Sequence, residues 1–193
     1  MLKQKITISI DDGSELDWRV AGLLRLYGLK ATFYWSPYNP KHEVMPEVAM
    51  REFIKAYPEM EIGQHTYNHQ ILTEITEWQK EIDYGYDWHV RAFNKRPKMF
   101  CYPRGYTSKE IVKYLKTKYI GARCVTAMSE FKEYGIGTTH LYNGEWVNRG
   151  GPNHYFIHSW EIDKFNDWNK FEDKLKTIKE SVTNSEYVDL YFK

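Results

Sequence analysis

Cysteine is scarce: 193 residues contain two, Cys101 and Cys124. They show neither metal-knuckle spacing nor the density of a disulfide framework, and both sit in apolar, strand-like runs that suit buried free thiols. An excess of one charge is also lacking. Lys and Arg number 27 against 26 Asp and Glu, for a formal net charge of +1. The basic residues are spread along the chain, which argues against nucleic-acid or membrane partners. No apolar run reaches membrane length. The N-terminus turns at once into an alternating strand with no signal-peptide core, so the chain reads as cytoplasmic in type. Linkers, repeats and composition breaks are missing too, which leaves a single domain over residues 1–193.

What is present is a globular composition, 42% apolar and 17% aromatic, arranged as alternating strands and helices. Ile6–Ile10, Ala31–Trp35, Glu61–Gln64, Lys98–Tyr102, Gly121–Thr126, Tyr155–His158 and Tyr187–Phe192 read as strands. Leu16–Leu26, Glu47–Tyr57, Thr73–Phe93 (Thr73 as N-cap), Ser108–Lys118 and Trp168–Val182 read as helices. Residues 128–153 are irregular. Such alternation implies parallel pairing. The fold class is therefore α/β, either a barrel or a doubly wound sheet, and the length is slightly small for a full eight-fold barrel.

The unusual polar residues fall at strand C-termini, where parallel α/β folds build their sites. Asp11 and Asp12 follow the first strand in I-S-I-D-D-G. His65 and His69 follow the third in E-I-G-Q-H-T-Y-N-H, and His158 ends a late strand in Y-F-I-H-S-W. Asp-Asp-Gly alone is a common turn, and a histidine pair at this spacing alone can be coincidence. His154 and His158 repeat the spacing, but on a strand they lie about 13 Å apart and cannot share an ion. His65 and His69 precede a helical pattern and can point at one centre. Two imidazoles and a carboxylate leave an open coordination position, and a second carboxylate beside the first is free to act as a base. Consecutive residues leaving a strand point different ways, so one aspartate faces the ion and the other the water. A lone late histidine can protonate a leaving group.

The ordered motifs I-S-I-D-D-G, G-L-K-A-T-F-Y, E-I-G-Q-H-T-Y-N-H, F-C-Y-P-R-G and F-I-H-S-W resemble the polysaccharide deacetylase family, the NodB-homology domain of carbohydrate esterase family four. The resemblance covers about Ile6 to Trp160. It implies a distorted or incomplete (β/α)7–8 barrel of mostly parallel strands. It also implies metal-dependent removal of N-acetyl groups from an N-acetylated oligo- or polysaccharide, by metal-bound water. Carried over, Asp12, His65 and His69 bind a divalent metal, most often Zn2+, with Co2+, Ni2+ or Fe2+ also compatible. Asp11 is the base, His158 the acid, and the backbone amide of Arg104 an oxyanion donor. Trp35, Tyr67, Tyr106 and Trp160, with Tyr102 and Pro103 of the Arg104 loop, are the substrate-binding candidates.

Two features depart from the family pattern. Cys101 stands where many members carry the Arg that orients the base, and residues 128–153 hold no clear Asp-Trp motif. Arg123 is a candidate substitute for that Arg. An amidase acting on a non-sugar C–N bond, or a carbohydrate-binding protein with a vestigial site, stay open as alternatives.

Overall fold

The structure is a computed structural model describing residues 5–125, 139–140 and 154–191. Its strands are β1 (Ile6–Asp11), β2 (Thr32–Trp35), β3 (Glu61–Gln64), β4 (Met99–Cys101), β5 (Gly121–Val125), β6 (Thr139–His140), β7 (His154–His158) and β8 (Ser181–Val182). Its helices are α1 (Asp17–Leu26), α2 (Glu47–Ala56), α3 (Trp78–Phe93), α4 (Lys109–Leu115), α5 (Ser159–Lys164), α6 (Trp168–Lys176) and α7 (Asn184–Tyr191). Six parallel strands form a curled half-barrel in the order β5-β4-β3-β2-β1-β7, with β6 antiparallel on β5 and β8 pairing with the start of β1. Among the described residues no ladder joins β6 to β7, and the sheet is that of a distorted barrel. The predicted α/β barrel class is what the chain adopts.

Burial on both faces explains the central strands. In β1, Thr7 to Asp11 are all buried, as expected for a strand with parallel neighbours on each edge and packing on each side. Outside the sheet, Val20, Ala21 and Leu24 of α1 and Met50 and Phe53 of α2 share a core with Ile8, Ile10, Phe33 and Trp35. Phe53 sits edge-on to Phe33 and Trp35, at 5.0 and 5.1 Å between centroids. Each such buried side chain contributes about 1.5–3 kcal/mol.

The concave side is filled by α7, which packs against both β1 and β5. Tyr187 and Val188 join Tyr34, Met99 and Cys101 in one cluster. Asn184 Nδ2 donates to Ser9 Oγ (3.0 Å) and to the Tyr34 hydroxyl (2.7 Å). This corrects the expected strand at Tyr187–Phe192. Its aromatic and β-branched residues suit a strand locally, but Asn184, Tyr187 and Val188 form one buried helical face that plugs the barrel.

Three further boundaries differ. The helix expected at Trp168–Val182 ends at Lys176, and Ser181–Val182 becomes β8. The short helix α5 was not expected. The helix expected from Thr73 is broken: Leu72–Glu74 form a 3-10 turn, Ile75 is extended, and α3 begins only after Glu77. Thr73 therefore caps nothing. The break places Glu81, in the first turn of α3, against Asn68, which donates to it through both its backbone N–H and Nδ2. The loop carrying His65 and His69 is tied to the helix there. Gly85 makes the approach possible, since a Cβ would lie 1.7 Å from Gln64 Nε2 and 2.9 Å from the Thr66 carbonyl carbon.

Candidate active site

Parallel register sets the first contacts. Asp11 pairs with His158 across β1 and β7, and Cys101 with Arg123 across β4 and β5. Directly paired residues of parallel strands lie about 4.8 Å apart and point to the same face, so the ends of four strands deliver their side chains to one rim. Backbone strain gathers at the same place. Six described non-glycine residues have positive φ. Asn94 and Asn166 lie at or just past helix C-termini; the other four are Asp12 (82°), Thr66 (65°), His69 (53°) and Arg104 (60°). Such conformations cost on the order of 1–3 kcal/mol each and cluster at functional sites.

Asp12, His65 and His69 converge. Asp12 Oδ1 lies 3.2 Å from His69 Nε2 and 3.8 Å from His65 Nε2, and the two Nε2 atoms are 3.1 Å apart. An ion held tetrahedrally at about 2.0–2.1 Å spaces its ligand atoms about 3.4 Å apart, so the three atoms make one face of such a site. Protonation agrees. His65 Nδ1 faces the Cys101 carbonyl at 2.9 Å. A carbonyl can only accept, so the proton sits on Nδ1 and the Nε2 lone pair faces the centre. Burial, with the His69 charge, pushes the His65 imidazole down to about 4, against Asp11 and Asp12; at neutral pH it is a neutral ligand. Burial pushes the Asp12 carboxyl up, but the hydrogen bond from His69 and the charges of His65 and His158 outweigh it and hold the group well below the usual carboxylate range. The donor set fits a divalent ion.

The histidine pair does not achieve this on a helical turn. Residues 65–71 are non-helical, and the left-handed Thr66 and His69 bend the loop so that both rings meet.

A second group of donors, Asp11, His65 and Cys101, also lies close together. It does not fit an ion. Burial drives the Cys101 thiol well above its ordinary range despite Arg123, and a neutral thiol is a poor ligand. Arg123 occupies the space, with Nη2 bonded to Asp11 Oδ2 and 2.8 Å from Cys101 Sγ. This guanidinium is fully buried. Burial alone lowers its pKa, but Asp11, Cys101 and Tyr34 hold it above the ordinary value. Asp11 Oδ1 has no hydrogen-bond partner among the described residues. His158 Nε2 lies 4.0 Å from Asp11 Oδ2 and 3.8 Å from Asp12 Oδ2, while its Nδ1 is held by Glu161 Oε2 at 2.9 Å.

Asp11, Asp12, His65, His69, His158 and Glu161 open into one cavity of about 340 Å3, with Arg123 and Cys101 buried behind its wall. Asp11, Asp12, His65, His69, Tyr102, Arg104, Tyr106, His158 and Trp160 line it as the sequence suggested. Trp35 does not. It is completely buried, donates its Nε1 proton to Asp17 at 2.9 Å and packs on Phe53, so it has no face for a sugar. Tyr67 packs towards Tyr84 and the core, and Pro103 is buried behind Arg104; neither is in the cavity wall. Sequence reasoning missed Lys41, His42, Phe156 and Glu161, which do line it. Phe156 was findable, because it lies two residues before His158 on the same strand face. His42 lies in a loop with no motif to signal it. The region of the absent Asp-Trp motif, 128–153, lies outside the described residues apart from 139–140.

This site geometry is accompanied by a match of residues 1–125 to the family described as polysaccharide deacetylase. The chain belongs to the polysaccharide deacetylase family. Among curated proteins no relative matches. Solved structures agree on the fold. A polysaccharide deacetylase from Bacillus cereus matches at TM-score 0.57 and 16% identity, over 78% of this chain and 45% of its own. A family 4 carbohydrate esterase from Streptomyces lividans, in complex with acetate, matches at 0.62 and 16%, over 93% and 92%. A family 4 pseudoenzyme from Bacillus anthracis matches at 0.63 and 15%, over 95% and 64%. At these identities the likeness speaks for the deacetylase fold alone, and the chain spans less than half the length of the Bacillus cereus protein.

Proposed function

We propose that this polysaccharide deacetylase family member is a metal-dependent hydrolase that removes N-acetyl groups from an N-acetylated amino sugar in an oligo- or polysaccharide. The observation that carries the reading is the convergence of Asp12 Oδ1, His65 Nε2 and His69 Nε2 on one point, with Asp11 and His158 on its flank. Asp12, His65 and His69 would hold the ion, zinc being well suited to this donor set. A divalent ion bound there would supply polarisation of an amide carbonyl and a water acidic enough to attack at neutral pH.

The chain's own groups do the rest. Asp11 has one oxygen fixed by Arg123, which leaves Oδ1 to take the proton from water as it attacks the acetamide carbon. The Arg104 backbone N–H, in a left-handed turn that a non-glycine residue adopts only at a cost, donates to the developing oxyanion. His158, its Nδ1 anchored on Glu161, delivers a proton from Nε2 to the sugar nitrogen as the C–N bond breaks. That proton is required, because an amide anion is too basic to leave. Acetate and a free amino sugar result.

The test is Asp11→Asn. Acetate release from N-acetylated chitooligosaccharides should collapse while zinc stays bound; loss of zinc instead means the two aspartates have exchanged roles. Release from small non-sugar amides but not from sugars would replace the substrate assignment by an amidase.

A further inference from the structure

Trp160 lines the cavity, yet its ring is already engaged. Its Nε1 donates to Asp12 Oδ2 at 2.8 Å. The His42 imidazole is stacked on it, 3.9 Å between centroids and 24° between planes. The His158 ring lies 5.3 Å away, tilted by 39°. The two oxygens of Asp12 are thereby distinguished. Oδ1 faces His69 and His65 and accepts from Asn39 Nδ2 at 3.2 Å, whereas Oδ2 is taken by the indole.

We propose that Trp160 is a positioning residue for the metal-ligating carboxylate. Its N–H occupies Asp12 Oδ2 so that Oδ1 alone is presented to the ion, and His42, from the β2–α2 connection, clamps the indole in that pose. The inference rests on the metal-site reading above. Terminal torsion of a carboxylate is broad and soft, so an untied Asp12 turns between one-oxygen and two-oxygen binding and blurs the site. An indole N–H suits the tie because it only donates: it can neither ligate the ion nor take up a proton. The strained backbone of Asp12, with φ of 82°, gives the side chain its direction, and the indole fixes its rotation. The substrate must then find aromatic contact elsewhere on the wall, as at Phe156, which is 36% exposed.

The experiment measures the Zn2+ dissociation constant by chelator competition for wild type, Trp160→Phe and His42→Ala, with the Co2+ absorption spectrum and the apo-protein melting temperature of each. Trp160→Phe keeps a ring and loses only the donor. It should weaken Zn2+ about 10–100-fold, the usual effect of losing a partner of a ligand, and shift the Co2+ bands without lowering the apo melting temperature. His42→Ala should weaken Zn2+ in the same direction by less, and it carries the test if Trp160→Phe fails to fold. Unchanged Zn2+ affinity and Co2+ bands in a folded Trp160→Phe, with a raised KM for sugar alone, would make Trp160 a sugar platform and overturn the proposal. In the His42→Ala arm, unchanged Zn2+ affinity overturns it. A wild type that binds no Zn2+ overturns the metal reading itself, and this inference with it.

Discussion

Replacing Arg123 by Met removes the one guanidinium that touches Asp11 among the described residues, and keeps a chain of similar reach. Arg123 is fully buried, and its Nη2 is shared between Asp11 Oδ2 and Cys101 Sγ. The rings of Tyr34 and Phe156 flank it at 5.2 and 5.5 Å. Breaking a buried pair on one side leaves a charge that neither water nor a partner compensates, at about 3–5 kcal/mol. For a chain of this size that lowers the melting temperature by about 6–20 °C. Urea unfolding followed by tryptophan fluorescence gives the first number. A cycle with Asp11→Asn gives the second, because the double variant no longer strands a charge and should be non-additive by about 1–3 kcal/mol. Acetate release by Arg123→Met should also fall about tenfold or more, since the base loses its fixed oxygen. A cost below about 1 kcal/mol, strictly additive variants and unchanged turnover would together refute the view that Arg123 holds Asp11.

Other outcomes follow from the same geometry. The fold resists protonating His65 until about 4 and His89 until about 3, burial being the first cause of both. The unfolded chain takes up those protons from about pH 6.5 downward, so it binds more protons across that window. Stability of the metal-free protein should therefore fall as pH drops from 6.5 towards 4, as read by urea midpoints. Asp17 behaves oppositely. Burial raises its carboxyl to about 8, against hydrogen bonds from Ser159 and Trp35, with the Asp12 and Asp11 charges adding to the rise. Its contribution is present in acid and lost as pH rises through 8, so Asp17→Asn should cost less stability at pH 8 than at pH 5 in the same titrations. Gly85→Ala should destabilise the protein by about 1–3 kcal/mol and weaken Zn2+ binding, because the added methyl displaces Gln64 and Thr66 beneath the His65 loop. Calorimetry and chelator competition check the two effects.

Much of this was legible in the sequence, for identifiable reasons. Strands such as Glu61–Gln64 are bounded by turn residues and leave no competing period. Because the strands are parallel and in register, residues at their C-termini share a rim, and so Asp11, Asp12, His65, His69 and His158 could be brought together without coordinates. What was not legible depends on tertiary contact. Tyr187–Tyr191 is a helix because the barrel needs a plug, and local preference for a strand loses to that packing. Thr73 is not a cap because the Asn68 to Glu81 tie sets where α3 can begin. Trp35 sits at a strand end, as site residues do, but its ring turns to the outer core and to Asp17. Arg123, by contrast, is legible as the candidate substitute for the family's Arg, and it does bond Asp11 from β5, where its pair in register, Cys101, is small. The cavity role of His42 comes from a loop without regular structure, where no periodicity announces a contact.

The most direct measurement is a crystal structure of the zinc-loaded protein with anomalous diffraction recorded at the zinc absorption edge. One peak within about 2.0–2.2 Å of an Asp12 oxygen, His65 Nε2 and His69 Nε2 is the predicted result. No peak, or one centred on Asp11 and Cys101, would contradict it.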